Sequence, residues 1–278
     1  MTDTFAKGRP NIFIALPIYG GYATTEFMMS CIELAQALQK QNIGCKFGSL
    51  SFPDIVEVRN IFASIFYDKT PQATHCLMCD FDMVFEPQLI VDMLDSEHPL
   101  VGIIPVKKRL PYEFVGRGNE VEGEPVNGYL EVDGVGAGIL LFSREVISEM
   151  LLKCPDVIDP FPIGKHPASE LILSQGLTRL LRPFDPIVNM EIGRLSEDLS
   201  FSRRWKHQCG GQIWANIQHA VGHIGKHEYK AAYADFLAAK KAQEIEQKAA
   251  AARVAADKLR VETEANAMEQ FEVKEAAE

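Results

Sequence analysis

Strand-like and helix-like segments alternate along the first hundred residues, and this alternation limits the fold more than any other feature of the chain. Short apolar runs of β-type composition occur at residues 11–18, 44–52, 73–82 and 99–106, and segments with helical spacing of apolar residues lie between them at 24–42, 54–69 and 86–97. Successive parallel strands need long crossover connections, which helices of this length provide. The pattern predicts an α/β fold with a mainly parallel central sheet, covered by helices on both faces.

The remainder of the chain is organised differently. Residues 106–230 contain short alternating strands, several glycines, a proline-rich stretch and two further helical segments. From about residue 231 the composition shifts to Ala, Glu, Lys and Gln, and no heptad of apolar residues is sustained. We therefore expect one domain over residues 1–230, followed by a helical tail at 231–278 that is an interaction element for a homo-oligomer or another partner.

The composition excludes several classes of protein. The chain has 278 residues, 47% of them hydrophobic, and a formal net charge of -10, so its surface as a whole repels nucleic acids and anionic membranes. No apolar run is long enough for a membrane span or a signal-peptide core, which makes a cytoplasmic location the default expectation. The closest pair among the six cysteines, Cys76 and Cys79, lacks the second pair of a zinc ribbon, so reduced thiols are expected.

Two carboxylates end the third strand-like run, in the stretch CLMCDFDMVFEP. On a strand, Asp80 and Asp82 point to the same side, about 7 Å apart. Ligands of open α/β sheets bind outside the carboxyl ends of the strands, where these side chains would lie. Hard oxygen ligands suit Mg²⁺ or Mn²⁺, which would relieve the repulsion between the two charges. Taken alone, the motif is equally well interpreted as two solvated acids in a surface turn.

Two later segments carry further candidates. Gly134, Gly136 and Gly138 precede a strand and allow backbone to approach a ligand closely, although they can equally form a turn that serves folding alone. Glu197 and Asp198 lie in the first turn of a helix that Ser196 caps, where the helix dipole favours acids. Simple capping is one interpretation of this pair, and a general base at Asp198 is the other.

Three histidines follow one another at intervals of four residues: His219, His223 and His227. On a helix they would share one face as metal ligands, but Gly222 and Gly225 argue against a helix. We expect a single metal-ligating histidine, His223. A buried histidine without a metal is the alternative.

In this order, the motifs resemble those of nucleotide-sugar-dependent glycosyltransferases with the A-type (GT-A) fold, over about residues 10–230. That family has an Asp-x-Asp motif, a glycine-containing loop, an x-Glu-Asp motif and a C-terminal histidine, matched here by Asp80-Phe-Asp82, Gly134 to Gly138, Ser196-Glu197-Asp198 and His223. The early LPIYGG stretch, with Pro17 and Tyr19, resembles the family's first strand and nucleotide loop. The pair Arg59-Asn60 resembles its Arg-Asn contact near the nucleotide.

The resemblance implies a single Rossmann-like domain with a nucleotide-sugar half at about 10–105 and an acceptor half at about 106–230. It implies a metal-dependent hexosyl- or pentosyltransferase that uses Mn²⁺ or Mg²⁺ and a nucleotide sugar, with UDP favoured and GDP as the alternative. Asp82 and His223 would ligate the metal, and Asp80 would reach the ribose or, through water, the metal.

The remaining roles also follow from the resemblance. Asp198 would deprotonate an acceptor hydroxyl, on a glycan, a small molecule or a modified nucleobase, while Glu197 orients the acceptor. Contacts to the nucleotide sugar would come from six further residues: Pro17, Tyr19, Arg59, Gly136, Gly138 and Lys108. Lys108 belongs to the basic turn 107–109, for which plain exposure is the alternative. Trp205 and Trp214 could form a sugar platform, although core packing is the commoner role.

Two other functions use similar parts. A nucleotidyltransferase also places acids against metal and phosphates, but it usually needs a glycine- and lysine-rich phosphate loop, and LPIYGGYATTEF has no lysine. A non-catalytic module of the same fold would hold a sugar or nucleotide without turnover. The presence of Asp80, Asp82, Asp198 and His223 argues against such a degenerate module.

Overall fold

The computed structural model describes residues 10–108, 124–225 and 228–250. The strands are β1 (Asn11–Pro17), β2 (Gly44–Leu50), β3 (His75–Cys79), β4 (Met83–Val84), β5 (Leu100–Ile103), β6 (Tyr129–Glu131), β7 (Ile139–Ser143), β8 (Val188–Asn189), β9 (Gly193–Arg194), β10 (Trp214–Asn216), β11 (Val221–Ile224) and β12 (Glu228–Ala231). The helices are α1 (Thr25–Lys40), α2 (Ile55–Ser64), α3 (Pro87–Asp95), α4 (Arg144–Lys153), α5 (Ser169–Ser174), α6 (Glu197–Arg203) and α7 (233–250). Helices α2 and α6 continue as π-helical turns to Lys69 and Cys209.

A seven-stranded sheet in the order β2-β1-β3-β7-β5-β10-β6 organises the fold. Strand β1 runs parallel to β2 and β3, and β10 runs parallel to β5. Strand β7 lies antiparallel between β3 and β5, and β6 lies antiparallel to β10 at the edge. Strands β2, β1, β3, β5 and β10 therefore point the same way, which confirms the predicted mainly parallel α/β sheet.

Side-chain hydrogen bonds cap the first two helices. The hydroxyl of Thr24 accepts a hydrogen bond from the Phe27 amide at 3.2 Å, and the carboxylate of Asp54 accepts one from the Val56 amide at 2.9 Å. These side chains satisfy amides that have no partner inside the first turn. Asn42, with a φ of 56°, adopts the left-handed conformation just after α1 and turns the chain into β2.

Helices cover both faces of the sheet. Every residue of β1 is buried, as a continuous apolar run predicts for a strand with both faces covered. Ile12 and Ile14 join a core with the apolar faces of α1 and α3. On the opposite face, Phe13 packs against Phe62 of α2, with ring centroids 6.1 Å apart. This leaves the ends of the strands, rather than the faces, for function.

A small second sheet extends the edge where β3 ends. Strand β11 pairs antiparallel with β12 on one side and with β4 on the other. Its register places His223 opposite Met83, the residue that follows Asp82. This pairing brings β11 close to Asp80 and Asp82.

The chain divides into two compact units, Met1–Tyr233 and Ala234–Glu278. Helix α7 forms the described part of the second unit, and the rest of the predicted helical tail, 251–278, lies outside the described residues. None of the helices within the described ranges combines the length and apolar composition that a membrane span requires.

Candidate active site

The candidate site lies where β3 ends. Asp80 directly follows the last residue of β3, and its amide donates a hydrogen bond to the Gly138 carbonyl at 2.9 Å. This contact arises because β7 is antiparallel to β3, so the chain enters β7 at the edge where β3 leaves the sheet. The glycines that precede β7 therefore lie beside the aspartates.

Strand β11 brings His223 to the same place. The Ile224 amide donates to the Asp82 carbonyl at 2.7 Å, and Nε2 of His223 lies 3.5 Å from Oδ2 of Asp82. His219 instead pairs with Asp92, its Nε2 lying 2.8 Å from a carboxylate oxygen. Of these two histidines, His223 is the one that faces the aspartates. His227 lies outside the described residues.

The facing pair of Asp82 and His223 fits a divalent cation. Nδ1 of His223 lies 3.0 Å from the Val106 carbonyl oxygen, and only a protonated nitrogen can donate to it. Nε2 is therefore the nitrogen that faces Asp82, and it either donates a proton to that carboxylate or, without the proton, offers its lone pair to a cation. Two acceptors at that separation need a proton or a cation between them. Among the described residues no group of three or more His, Cys, Asp or Glu side chains is placed to hold a metal. A two-ligand site is nevertheless typical of Mg²⁺-type ions, which take their other oxygens from phosphates and water.

Lys108 neutralises Asp82. Its Nζ lies 2.5 Å from Oδ2 of the carboxylate. Burial raises the pKa of Asp82. Hydrogen bonds from His223 and Lys108, together with their charges, lower this pKa by more than burial raises it, so it lies below its ordinary value. Asp82 is thus ionised at neutral pH, as a metal ligand must be. Arg109 of the same basic turn lies outside the described residues.

Arg59 joins the two acidic motifs. Its Nη2 donates to both carboxylate oxygens of Asp80, at 2.9 and 3.0 Å, and its Nη1 donates to Oε1 of Glu197. The side chain is only 4% exposed. Burial lowers the pKa of Arg59, but the charges of Asp80 and Glu197 raise it more, so its pKa lies above the ordinary value. The guanidinium therefore holds two acids in place, whereas the sequence motif predicts a nucleotide contact at Arg59.

One signal for this role was present in the sequence. Arg59 is the cation within the largely apolar sequence of α2, and that is the signal. The structure buries all of residues 57–64, which include Arg59. A buried arginine is rarely tolerated without an acidic partner. Which acids it meets is set by the fold, because Glu197 is 138 residues away in sequence.

Asp198 faces the glycine segment from the start of α6. Its Oδ1 accepts hydrogen bonds from the Leu199 amide at 2.7 Å and from the Ser196 hydroxyl. Its Oδ2 lies toward Gly136, where a Cβ atom would be 3.5 Å away. Ser196 occupies the cap position, but its hydroxyl bonds Asp198 instead of capping the helix as the sequence predicts.

A cavity of about 230 Å³ opens beside Asp80 and Asp82. Its walls come from the ends of β1 and β2 and from the start of α2, and comprise Pro17, Ile18, Tyr19, Leu50, Phe52, Pro53, Ile55, Val58 and Phe81. The cavity is therefore apolar along its walls and acidic at one end. Pro17 and Tyr19 line this cavity, and the Gly138 carbonyl accepts a hydrogen bond from the Asp80 amide.

A second cavity, of about 820 Å³, lies among residues 156–185 with Glu57 of α2 on its wall. Arg182 forms its ionic centre, with nitrogen atoms 3.4 Å from Glu57, 2.9 Å from Asp159 and 2.6 Å from Asp185. Sequence reasoning missed this network because its partners are as far as 125 residues apart. The proline-rich composition of this segment predicts irregular structure, but it does not indicate the ion pairs of Arg182.

The comparisons with known proteins give likenesses in structure alone. No protein-family model and no curated protein matches the chain. Solved structures that it resembles include A197 from STIV (15% identity, 81% of this chain and 91% of that chain, TM-score 0.42) and the catalytic domain of Drosophila beta1,4-galactosyltransferase 7 in complex with xylobiose (13%, 72% and 82%, TM-score 0.35). It also resembles GalNAc-T7 with UDP, GalNAc and Mn²⁺ (9% identity, 81% of this chain and 44% of that chain, TM-score 0.38). Since every one of these TM-scores is below 0.5, function must be argued from this chain's own residues.

Proposed function

We propose that the chain is a metal-dependent glycosyltransferase that moves a sugar from a nucleotide sugar to an acceptor hydroxyl. The observation that carries this proposal is the meeting of Asp82 and His223, with their acceptor atoms 3.5 Å apart, beside an apolar cavity at the carboxyl edge of the sheet. In this proposal the apolar walls hold the nucleoside, of UDP by preference or of GDP, and its diphosphate lies towards the acids.

Asp82 and His223 would hold Mn²⁺ or Mg²⁺. The bound cation would neutralise the negative charge that develops on the departing nucleoside diphosphate. Arg59 holds the side chains of Asp80 and Glu197 in place, so Asp80 can accept from the ribose or from water without turning away. Lys108 balances the charge of Asp82, and in the presence of a cation it would be free to turn towards phosphate.

Asp198 is the proposed general base. Its Oδ1 is occupied by the Leu199 amide and the Ser196 hydroxyl, which leaves Oδ2 directed at the glycine segment to accept the proton of the acceptor hydroxyl. Glu197 is bonded to Arg59 and would position α6 and the acceptor instead of taking the proton. The acceptor is a glycan, a small molecule or, less favourably, a modified nucleobase.

Calorimetry with UDP and GDP, each with and without Mn²⁺, tests the proposal. We expect nucleotide binding that depends on Mn²⁺ and that Asp82→Asn weakens by about tenfold or more, since a metal ligand is lost. The matched control is Asp68→Asn, which alters a half-buried carboxylate paired with Arg179 and should bind as the unchanged protein does. Binding that ignores Mn²⁺, or equal weakening by both variants, would contradict the metal site.

Turnover separates this proposal from its alternatives. A glycosyltransferase releases the nucleoside diphosphate from a panel of UDP- and GDP-sugars, in transfer or in slow hydrolysis, and Asp198→Asn should remove that release without removing binding. Release of pyrophosphate from nucleoside triphosphate and sugar phosphate would identify a nucleotidyltransferase. Tight binding without any release would identify a non-catalytic module.

A further inference from the structure

A groove at the opposite side of the sheet from β2 takes no part in the proposed reaction. It has a cavity of about 440 Å³ between the end of α3 and the strands β10 and β6, a size within the range of small-molecule sites. We call it the edge groove and define it by Asp95, His98, Asn127, Tyr129, Trp214 and Gln218. Strand β10 is three strand spacings from β3, or about 14 Å, so the edge groove is distinct from the site at Asp80 and Asp82.

Three aromatic rings form one wall of the edge groove. The rings of His98 and Trp214 stack with centroids 4.4 Å apart and planes 11° apart, and Tyr129 meets His98 edge-on at 5.4 Å. Burial lowers the pKa of His98, so its ring is uncharged at neutral pH. Trp214 is half-buried, which leaves part of an apolar surface open to the cavity.

The rest of the wall is polar and rich in amide and carboxylate groups. Asn127 and Gln218 offer amides that both donate and accept, and Asp95 offers an exposed carboxylate. The Tyr129 hydroxyl is buried and has no hydrogen bond of normal geometry within the described part of the chain, although Asn216 and Ser96 lie near it.

Hydrogen bonds fix the backbone turn that carries Asn127 and the side chain of Asn216. Asn127 and Gly128, with φ of 50° and 82°, form the two-residue turn of a tight hairpin, closed by hydrogen bonds between Val126 and Tyr129 in both directions. The Asn216 side chain accepts from the amides of Gln218 and His219 at 3.2 and 3.3 Å. Rigid groups lose little freedom on binding, so they suit a ligand held by several weak hydrogen bonds.

We propose that the edge groove is a second binding site, for a neutral carbohydrate. The apolar C–H face of a sugar ring can stack on the exposed part of Trp214. The hydroxyls around the ring can form hydrogen bonds with the amides of Asn127 and Gln218 and with the Asp95 carboxylate. The charges exclude an anion, because none of the described lining residues is Lys or Arg, whereas Asp92 and Asp95 are both acids. They also disfavour a cation, because Asp92 is already bonded to His219 at 2.8 Å and to Gln88 at 2.6 Å.

Indole NMR resonances test the site on the full chain, which has two tryptophans. Trp214 reports on the edge groove, whereas Trp205 is 5% exposed with its indole nitrogen bonded to the Gln212 carbonyl at 2.8 Å, so it is an internal control. The probes are lactose, cellobiose and N,N′-diacetylchitobiose, with glucose 6-phosphate and tetramethylammonium as charged controls. We expect at least one neutral disaccharide to shift the Trp214 signal in a saturable way and to leave the Trp205 signal unmoved.

Variants then distinguish binding in the edge groove from binding at Asp80 and Asp82. Asp95→Ala and Gln218→Ala should each weaken binding of the disaccharide about fivefold, the value of one hydrogen bond of about 1 kcal/mol. Asp82→Asn should leave it unchanged, with or without Mn²⁺ and UDP, so this result is independent of the proposed glycosyl transfer. No saturable Trp214 shift with any disaccharide, a larger shift with tetramethylammonium, or loss of sugar binding in Asp82→Asn would each overturn the proposal.

Discussion

Arg59 is the residue on which the geometry of the candidate site most depends. It is buried, it donates to Asp80 through both carboxylate oxygens, and it donates to Glu197 on another helix. Without it, the half-buried carboxylates of Asp80 and Glu197 would lose the cation that they share. A guanidinium suits this task because its planar fork meets two partners at once, whereas an ammonium is a single point of charge.

Arg59→Met should therefore destabilise the fold by about 2–3 kcal/mol, the cost of leaving half-buried carboxylates without their hydrogen-bond donor. Urea unfolding followed by circular dichroism measures this. Arg179→Met is the matched control, since Arg179 is 42% exposed in its pair with Asp68 and should lose about 1 kcal/mol or less. Equal losses in the two variants would show that Arg59 is not needed to balance the acids.

Lys108 gives a second prediction for a single residue. Its ammonium and a divalent cation would compete for Asp82, so Lys108→Met should strengthen binding of Mn²⁺ alone by about two- to fivefold, the worth of a half-exposed ion pair. Titration of Mn²⁺ followed by electron paramagnetic resonance measures the change. If Mn²⁺ binding is unchanged while UDP binding weakens, Lys108 acts on phosphate, as the sequence motif predicts.

At the scale of elements, the direction of β7 decides what the glycines do. Because β7 begins where β3 ends, Gly136 and Gly138 lie between Asp80 and Asp198. Another glycine in the same region, Gly102 of β5, has a different reason to be small. A Cβ atom there would be 2.7 Å from the Val135 side chain.

Replacing each glycine by alanine should separate these two reasons. Gly102→Ala should cost about 1–3 kcal/mol of stability through overpacking. Gly136→Ala adds a methyl group at ordinary contact distance from Asp198, so it should unfold at nearly the unchanged temperature but lose sugar transfer. Thermal unfolding and release of UDP measure the two effects. A large stability loss in Gly136→Ala would mean that Gly136 serves packing and not access to the base.

Local signals predicted the elements better than their partners. The apolar runs located β1, β2, β3 and β5, and the helical spacing of apolar residues located α1, α2 and α3, because periodicity is a property of neighbouring residues. The antiparallel insertion of β7 and the two-residue β4 carry no local signature. For the same reason Asp80, Asp82 and His223 were identifiable as candidates, whereas the partners of Arg59 and Lys108 depend on pairings made across the sheet.

At the scale of the whole molecule, the chain separates into two units after Tyr233. We predict that a chain ending at residue 233 unfolds at the same temperature as the full chain and keeps Mn²⁺-dependent UDP binding, since the described site residues all precede that point. Calorimetry measures both properties. A chain ending at residue 220 is the control, because it lacks β11 and His223 and should lose the binding. A marked loss in the longer chain would make the tail part of the folding unit.

The order of the strands also affects how the protein can be made. Strand β5 joins the sheet only through β7 and β10, which are synthesised about 40 and 110 residues after it, and β3 has β7 as its outer neighbour. A nascent chain that has emerged as far as β5 therefore exposes an unpaired edge of β3 and an apolar strand with no place to dock. Such edges attract other chains. The first hundred residues have the pattern of half a domain. They can complete the sheet only after β7 and β10 have been synthesised.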